Sequence, residues 1–173
     1  TINTGSFTAK DNLMVLMFLH GNTAPYAELT FNDSSGNQYA ERYSDDGGSD
    51  GTRTNKALIQ LGTGGALNRD TYIILNIANL ASQEKLVMMK TVEQDSTGAN
   101  APERQEVVAK WVNTSDQITS IKVHDTRSGH DFNTGSEIVV LGYNNDEADS
   151  GTNFWQEIGS FDFSSGTTGI NNE

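Results

Sequence analysis

Ala27-Glu-Leu-Thr-Phe31, Asn32-Asp-Ser-Ser-Gly-Asn37 and Gln38-Tyr-Ala-Glu-Arg-Tyr43 follow one another without a break. The first stretch alternates, with Leu29 and Phe31 on one face and Glu28 and Thr30 on the other, which is the period of a half-buried strand. The second is made of residues that take turn conformations easily. The third returns to strand-like composition, so the three together predict a hairpin.

The same pattern repeats outward from this point. Apolar runs occupy residues 7–19, 56–61, 71–77, 85–92, 106–112, 117–123 and 137–143, with Gly-, Asn- and Asp-rich connections between them. Eight or nine strands therefore precede residue 144. Ile138-Val-Val-Leu141 is apolar on both faces, as expected of a strand buried between layers. Even spacing and turn signals predict an all-β, antiparallel, jelly-roll-like sandwich. Its inward positions are expected to include Leu29, Phe31, Ile73, Leu75, Val107, Trp111, Ile121, Val123, Ile138 and Val140. The helical signals are Phe154-Trp-Gln-Glu-Ile158 and one turn at Ala81-Ser-Gln-Glu-Lys85, both too short to stand alone. No fixed-period repeat occurs, which argues against a solenoid or propeller.

The chain has 173 residues and a mass of 18.8 kDa. That suits one sandwich domain over residues 1–143 and an extension over 144–173. The extension reads as an acidic loop followed by a strand-like aromatic segment. With no cysteine, disulfides, thiolate zinc sites and a cysteine nucleophile are excluded. The 11 basic against 23 acidic residues, net charge −12, argue against a nucleic-acid groove and an anionic membrane surface. The longest apolar run, Leu13-Met-Val-Leu-Met-Phe-Leu19, is far shorter than the about 20 residues of a membrane-spanning helix. The polar, uncharged start Thr1-Ile-Asn-Thr-Gly5 does not read as a signal peptide.

Little in the sequence is arranged for chemistry. His20, His124 and His130 have no metal-ligand spacing. Asp45, Asp46 and Asp50 lie in a Gly-rich loop with the flavour of a calcium site. The alternating acids and the closing bidentate glutamate of such a loop are missing, so a solvated tip is the plainer reading. Residues 144–149 read the same way. Glu84, Glu93, Glu106 and Glu137 lie in or beside strands, and nothing marks a catalytic pair among them. Ser128-Gly-His-Asp131 is adjacent only in sequence, whereas triads assemble in space. No phosphate loop or dinucleotide fingerprint is present. Neither an enzyme nor a cofactor is expected.

Interface signals are clearer. The 13–19 run exceeds what one sandwich layer needs, and Met14 and Met17 adapt readily to a partner surface. Phe154, Trp155, Ile158, Phe161 and Phe163 crowd into ten residues, too dense for a solvated tail. Phe161 and Phe163 alternate with polar residues, so residues 159–164 are expected to return to the sandwich as an edge strand or to pair with a neighbouring subunit. Residues 165–173 are expected to be loosely ordered unless a partner holds them.

Four stretches in register carry a resemblance. They are Leu29-Thr-Phe-Asn-Asp-Ser-Ser-Gly-Asn-Gln-Tyr-Ala-Glu-Arg-Tyr43, Asn76-Ile-Ala-Asn-Leu-Ala-Ser-Gln-Glu-Lys-Leu-Val87, Trp111-Val-Asn-Thr-Ser-Asp-Gln-Ile-Thr-Ser-Ile-Lys-Val123 and Asp131-Phe-Asn-Thr-Gly-Ser-Glu-Ile-Val-Val-Leu-Gly142. Together they resemble a family of virion surface proteins of tailed phages and related viruses, over about residues 5–143. The resemblance implies a jelly-roll module on the outside of a particle, often trimeric, in a capsid decoration, head fibre or tail fibre. Its partners would be further copies and capsid or tail proteins, its work particle stabilisation or host attachment. No catalytic residue carries over. Two features depart from the family pattern: the chain continues past the closing strand, and Tyr143 follows Gly142 where the aromatic often precedes the glycine. Because sandwiches host many functions, a carbohydrate-binding module for a host surface glycan is the alternative, with a polysaccharide-degrading enzyme behind it.

Overall fold

The computed structural model describes residues 1–22, 26–62, 70–94, 96–126, 131–147 and 156–162. Among them run thirteen strands: β1 (Ile2–Asn3), β2 (Asn12–Asn22), β3 (Ala27–Phe31), β4 (Tyr39–Asp45), β5 (Gly51–Lys56), β6 (Ile59–Gln60), β7 (Asp70–Ala78), β8 (Lys85–Glu93), β9 (Glu103–Trp111), β10 (Ile121–Asp125), β11 (Asp131–Phe132), β12 (Glu137–Tyr143) and β13 (Gln156–Asp162). A short 3-10 turn, Asn145–Glu147, is the one helical element among the described residues. No helix there is long and apolar enough to cross a membrane.

Two antiparallel sheets pack as a sandwich. The small one has the order β1-β10-β3-β6 and the large one β13-β12-β2-β7-β8-β9-β4-β5, with β11 also pairing β2. The main strands pair in nested fashion: β2 with β12, β3 with β10, β4 with β9, β7 with β8. The all-β antiparallel sandwich expected from the sequence is thus what the chain forms.

Alternation places the core. All ten positions expected to point inward are buried, alongside Leu13, Val15, Met17 and Leu19 of β2. Phe31, Tyr39 and Trp111 meet at its centre, with Tyr39 and Trp111 stacked 13° from parallel at 6.3 Å between centroids. Their polar atoms are provided for: Trp111 Nε1 donates to Gln38 Oε1 at 3.1 Å, and Phe31 N donates to the Tyr39 hydroxyl at 2.9 Å.

The expected hairpin is corrected. β3 pairs with β10 and β6 in the small sheet, whereas β4 pairs with β9 and β5 in the large one. The connecting turn is therefore an arch that carries the chain between sheets. Asn32 and Asp33 sit at φ 50° and 53°, a left-handed conformation that Asn and Asp tolerate better than most residues. The Asn32 side chain then clamps the arch to the segment before β10. Its Nδ2 donates to Gln117 O at 2.8 Å, and its Oδ1 accepts from Thr119 N at 2.8 Å and Ser120 N at 3.1 Å.

Other expectations shift too. Before residue 144 the strand number rises from eight or nine to twelve because β1 and β11 are two-residue pairings and β5 is a polar strand inside the expected acidic loop, while the expected 56–61 strand is reduced to β6 and β13 lies in the extension. Residues 156–158, expected to be helical, are extended in β13. β13 joins the edge of the large sheet against β12, with Glu137 opposite Asp162 and Ile138 opposite Phe161. Gly142 is needed beside it: a Cβ there would lie 2.8 Å from Ile158 Cδ1 and 2.9 Å from Lys10 Cβ. Finally, β12 is not buried between layers. Ile138 and Val140 face the core, while Val139 and Leu141 are half-buried on the opposite side.

Candidate functional site: the outer face of the large sheet

The side chains that alternate with the core row define the other face of the large sheet, and the ladder register lines them up across strands. One row runs Val108, Met88, Asn76, Met14, Leu141 from β9 to β12. The next runs Glu106, Lys90, Ile74, Leu16, Val139, and a third Arg104, Val92, Tyr72, Phe18, Glu137. The centre of this face is apolar and uncovered among the described residues. Met88 is 62% exposed, Leu86 57% and Val108 55%, with Val92, Tyr72 and Phe18 also exposed. Two adjoining hollows of about 530 and 520 Å³ share Asn76, Met88 and Val108. A contiguous apolar surface of this kind is what protein contacts use, whereas isolated exposed apolar residues are ordinary.

Charges lie around and within the apolar field in pairs of opposite sign, with Lys90 and Glu106 between the Met88 row and the Val92 row. Lys90 Nζ lies 3.5 Å from Glu106 Oε1, Arg104 Nη1 3.9 Å from the same oxygen, Arg42 Nη1 3.5 Å from Asp50 and Lys110 Nζ 2.8 Å from Glu84. Such exposed pairs contribute little stability. They do leave this region close to neutral on a chain with net charge −12.

The interface residues named from sequence fare differently. Met14 lies on this face, half-buried. Met17 is 0% exposed in the core, because alternation sends residues 13, 15, 17 and 19 inward and leaves residues 14, 16 and 18 outside. Phe161 falls in β13. Phe154, Trp155 and Phe163 lie outside the described residues, as does the segment 165–173.

The acidic loop does not gather its carboxylates around one point. Asp45 Oδ1 accepts from Gln105 Nε2 at 2.7 Å, Asp46 Oδ1 from Arg104 N at 2.9 Å, and Asp50 faces Arg42. Among the described residues no three His, Asp or Glu side chains form a metal-sized cluster. His20 pairs with Asp70 across β2 and β7, and Thr30 Oγ1 and His124 Nε2 share a hydrogen bond of 2.8 Å. His130 and residues 127–129 lie outside the described residues.

Two buried ionisable groups have structural partners that the sequence did not single out. Glu41 accepts from Arg53 Nη1 at 2.5 Å and from Gln60 N at 3.2 Å. Burial pushes its carboxyl up, and Arg53 pulls it partly back. Lys85 is buried with its ammonium on Gln83 O at 2.6 Å and Asn113 O at 3.1 Å. Burial lowers its pKa, with Asp116 opposing. Both are ties between segments. Arg53 also sits 3.7 Å over the Tyr43 ring, which occupies that aromatic surface.

The apolar outer face itself was missed. Part of its signal was read in Leu13–Leu19, whose excess of apolar residues was assigned to a partner surface, while the two apolar sides of Ile138–Leu141 were assigned to burial. The fold and this face define the class: an all-β sandwich whose large sheet is covered on its outside by none of the described residues. Comparison with known proteins finds no match, whether family model, curated protein or solved structure.

Proposed function

We propose that this chain is a non-enzymatic structural module that assembles with copies of itself through the outer face of its large sheet. The observation that carries the reading is the apolar field of Met88, Leu86, Val108, Val92, Tyr72 and Phe18 with balanced ion pairs within and around it. Copies of an acidic chain repel one another over most of their surface. A near-neutral apolar face is where that repulsion is weakest and where burial returns about 25 cal/mol per Å². The resemblance to virion surface proteins supports placing the assembly on the outside of a particle, as a capsid decoration or fibre module, with three copies as the expected number.

The test is light scattering on the size-separated protein at micromolar concentration, wild type against Met88→Gln/Val108→Thr. The reading expects an oligomer in the wild type and a folded monomer in the variant. A wild-type monomer, or a variant that assembles unchanged, would remove it.

A further inference from the structure

The outer face of the small sheet has a different composition. Antiparallel pairing of β3 with β10 sets Glu28 opposite His124 and Thr30 opposite Lys122. The Asn32–Asp33 arch brings one more acid to this face. Lys122 Nζ donates to Asp33 Oδ1 at 3.1 Å, Thr30 is hydrogen-bonded to His124, and Thr126 is hydrogen-bonded to Glu28. Beside these groups opens a hollow of about 390 Å³, lined also by Ala57 and Leu58. That falls within the roughly 300–1,000 Å³ of small-molecule sites.

We propose that this hollow binds a neutral polyhydroxylated ligand, a single sugar ring. Its polar groups come as donor–acceptor pairs, and a hydroxyl both donates and accepts. Two neighbouring hydroxyls of one ring are therefore able to bridge the Lys122 ammonium and the Asp33 carboxylate. An anionic ligand would face Asp33, and a cationic one Lys122, so neither charge is favoured. Burial and the nearby Lys122 hold the His124 imidazole below its ordinary pKa. A neutral imidazole carries one donor and one acceptor nitrogen, and with Nε2 engaged by Thr30 it is Nδ1 that serves a hydroxyl. Ala57 and Leu58 supply apolar surface for the C–H side of a ring. The site is preorganised, because the Asn32 amide fixes the arch and with it Asp33, and preorganisation removes ordering cost on binding. It lies on the opposite side of the sandwich from the assembly face and does not depend on that reading.

Saturation-transfer NMR and titration calorimetry with the methyl glycosides of glucose, galactose, mannose and N-acetylglucosamine test this, at millimolar sugar. Binding of at least one is expected. Asp33→Asn, which keeps a residue that tolerates the left-handed turn, and Lys122→Gln should each weaken it about tenfold, the size of a lost charged hydrogen bond. Met88→Gln on the other face should leave it unchanged. Polysaccharides carrying the same sugar separate a free monosaccharide from a glycan chain as the source. Failure of all four glycosides to bind, or binding that ignores Asp33 and Lys122, would overturn the site while leaving the assembly reading intact.

Discussion

The two outer faces of this sandwich enclose one core and present opposite surfaces to their surroundings. In the small sheet, β3 and β10 alternate: Leu29, Phe31, Ile121 and Val123 go in, while Glu28, Lys122 and His124 lie on the outer face with Thr30, which is itself buried. In the large sheet, β2, β7, β8 and β9 put apolar residues on both sides, and Phe18, Tyr72, Met88 and Val108 stand outside. An alternating strand needs one covering layer. A strand apolar on both sides has a second surface to cover, and no described part of this chain covers it. The difference therefore separates a face suited to water and polar ligands from one suited to another protein surface.

Both faces depend on the shared core, so breaking the core should erase the comparison altogether. Trp111→Ala is expected to cost about 3–5 kcal/mol, because it empties the site where Phe31 and Tyr39 pack. Urea unfolding checks this, and a loss below about 1 kcal/mol would count against a central role for the cluster. Gly142→Ala should cost less, about 1–3 kcal/mol by overpacking, since the new methyl meets Ile158 and Lys10. A variant that melts with the wild type would mean that β13 yields freely. Met88→Gln should change folding stability by no more than about 0.5 kcal/mol while removing self-association. Lys122→Gln should leave association untouched, and chromatography on both variants shows whether the two faces are separable.

How much of this was legible follows from the range of each interaction. Core positions such as Ile73, Val107 and Ile138 were readable because inward alternation is local. The arch at Asn32–Asp33 was not. A hairpin and an arch share the same turn residues and differ only in whether β4 pairs with β3 or with β9, some seventy residues away. β5 escaped because Gly51-Thr-Arg-Thr-Asn-Lys56 has no apolar period, and its place comes from pairing with β4. The candidate site was half legible. Met14 was noticed for its type, but its neighbours on the face, Met88 and Val108, come from strands whose register sequence does not reveal. Among the described residues the number of layers was the missing fact: β12, expected to be buried between layers, has Val139 and Leu141 half-buried on the outer face.

The smallest expected effect arises where the two sheets meet. Glu41 of β4 reaches across to accept from Gln60 N of β6, with Arg53 of β5 on its other oxygen. Burial raises its carboxyl, while Arg53 and, more weakly, Lys56 lower it. Burial likewise raises Glu28, the charge of Glu41 adds to that, and Thr126, Arg53 and Lys56 oppose it. A raised carboxyl means that the folded chain holds the proton more tightly than the unfolded chain. The contribution of these groups is thus fully present below the ordinary carboxylate pKa and is lost as pH rises through the raised values. Glu41→Gln keeps an oxygen for Gln60 N or Arg53 and removes the titration. The difference in urea midpoint between wild type and Glu41→Gln should therefore move against the wild type as pH rises from about 4 to about 7, while both keep the same strand signal in circular dichroism. A constant difference across that interval would mean that Arg53 neutralises the burial of Glu41. A difference moving in favour of the wild type would mean that the ion pair outweighs burial and that the joint tightens, rather than loosens, when the carboxylate is charged.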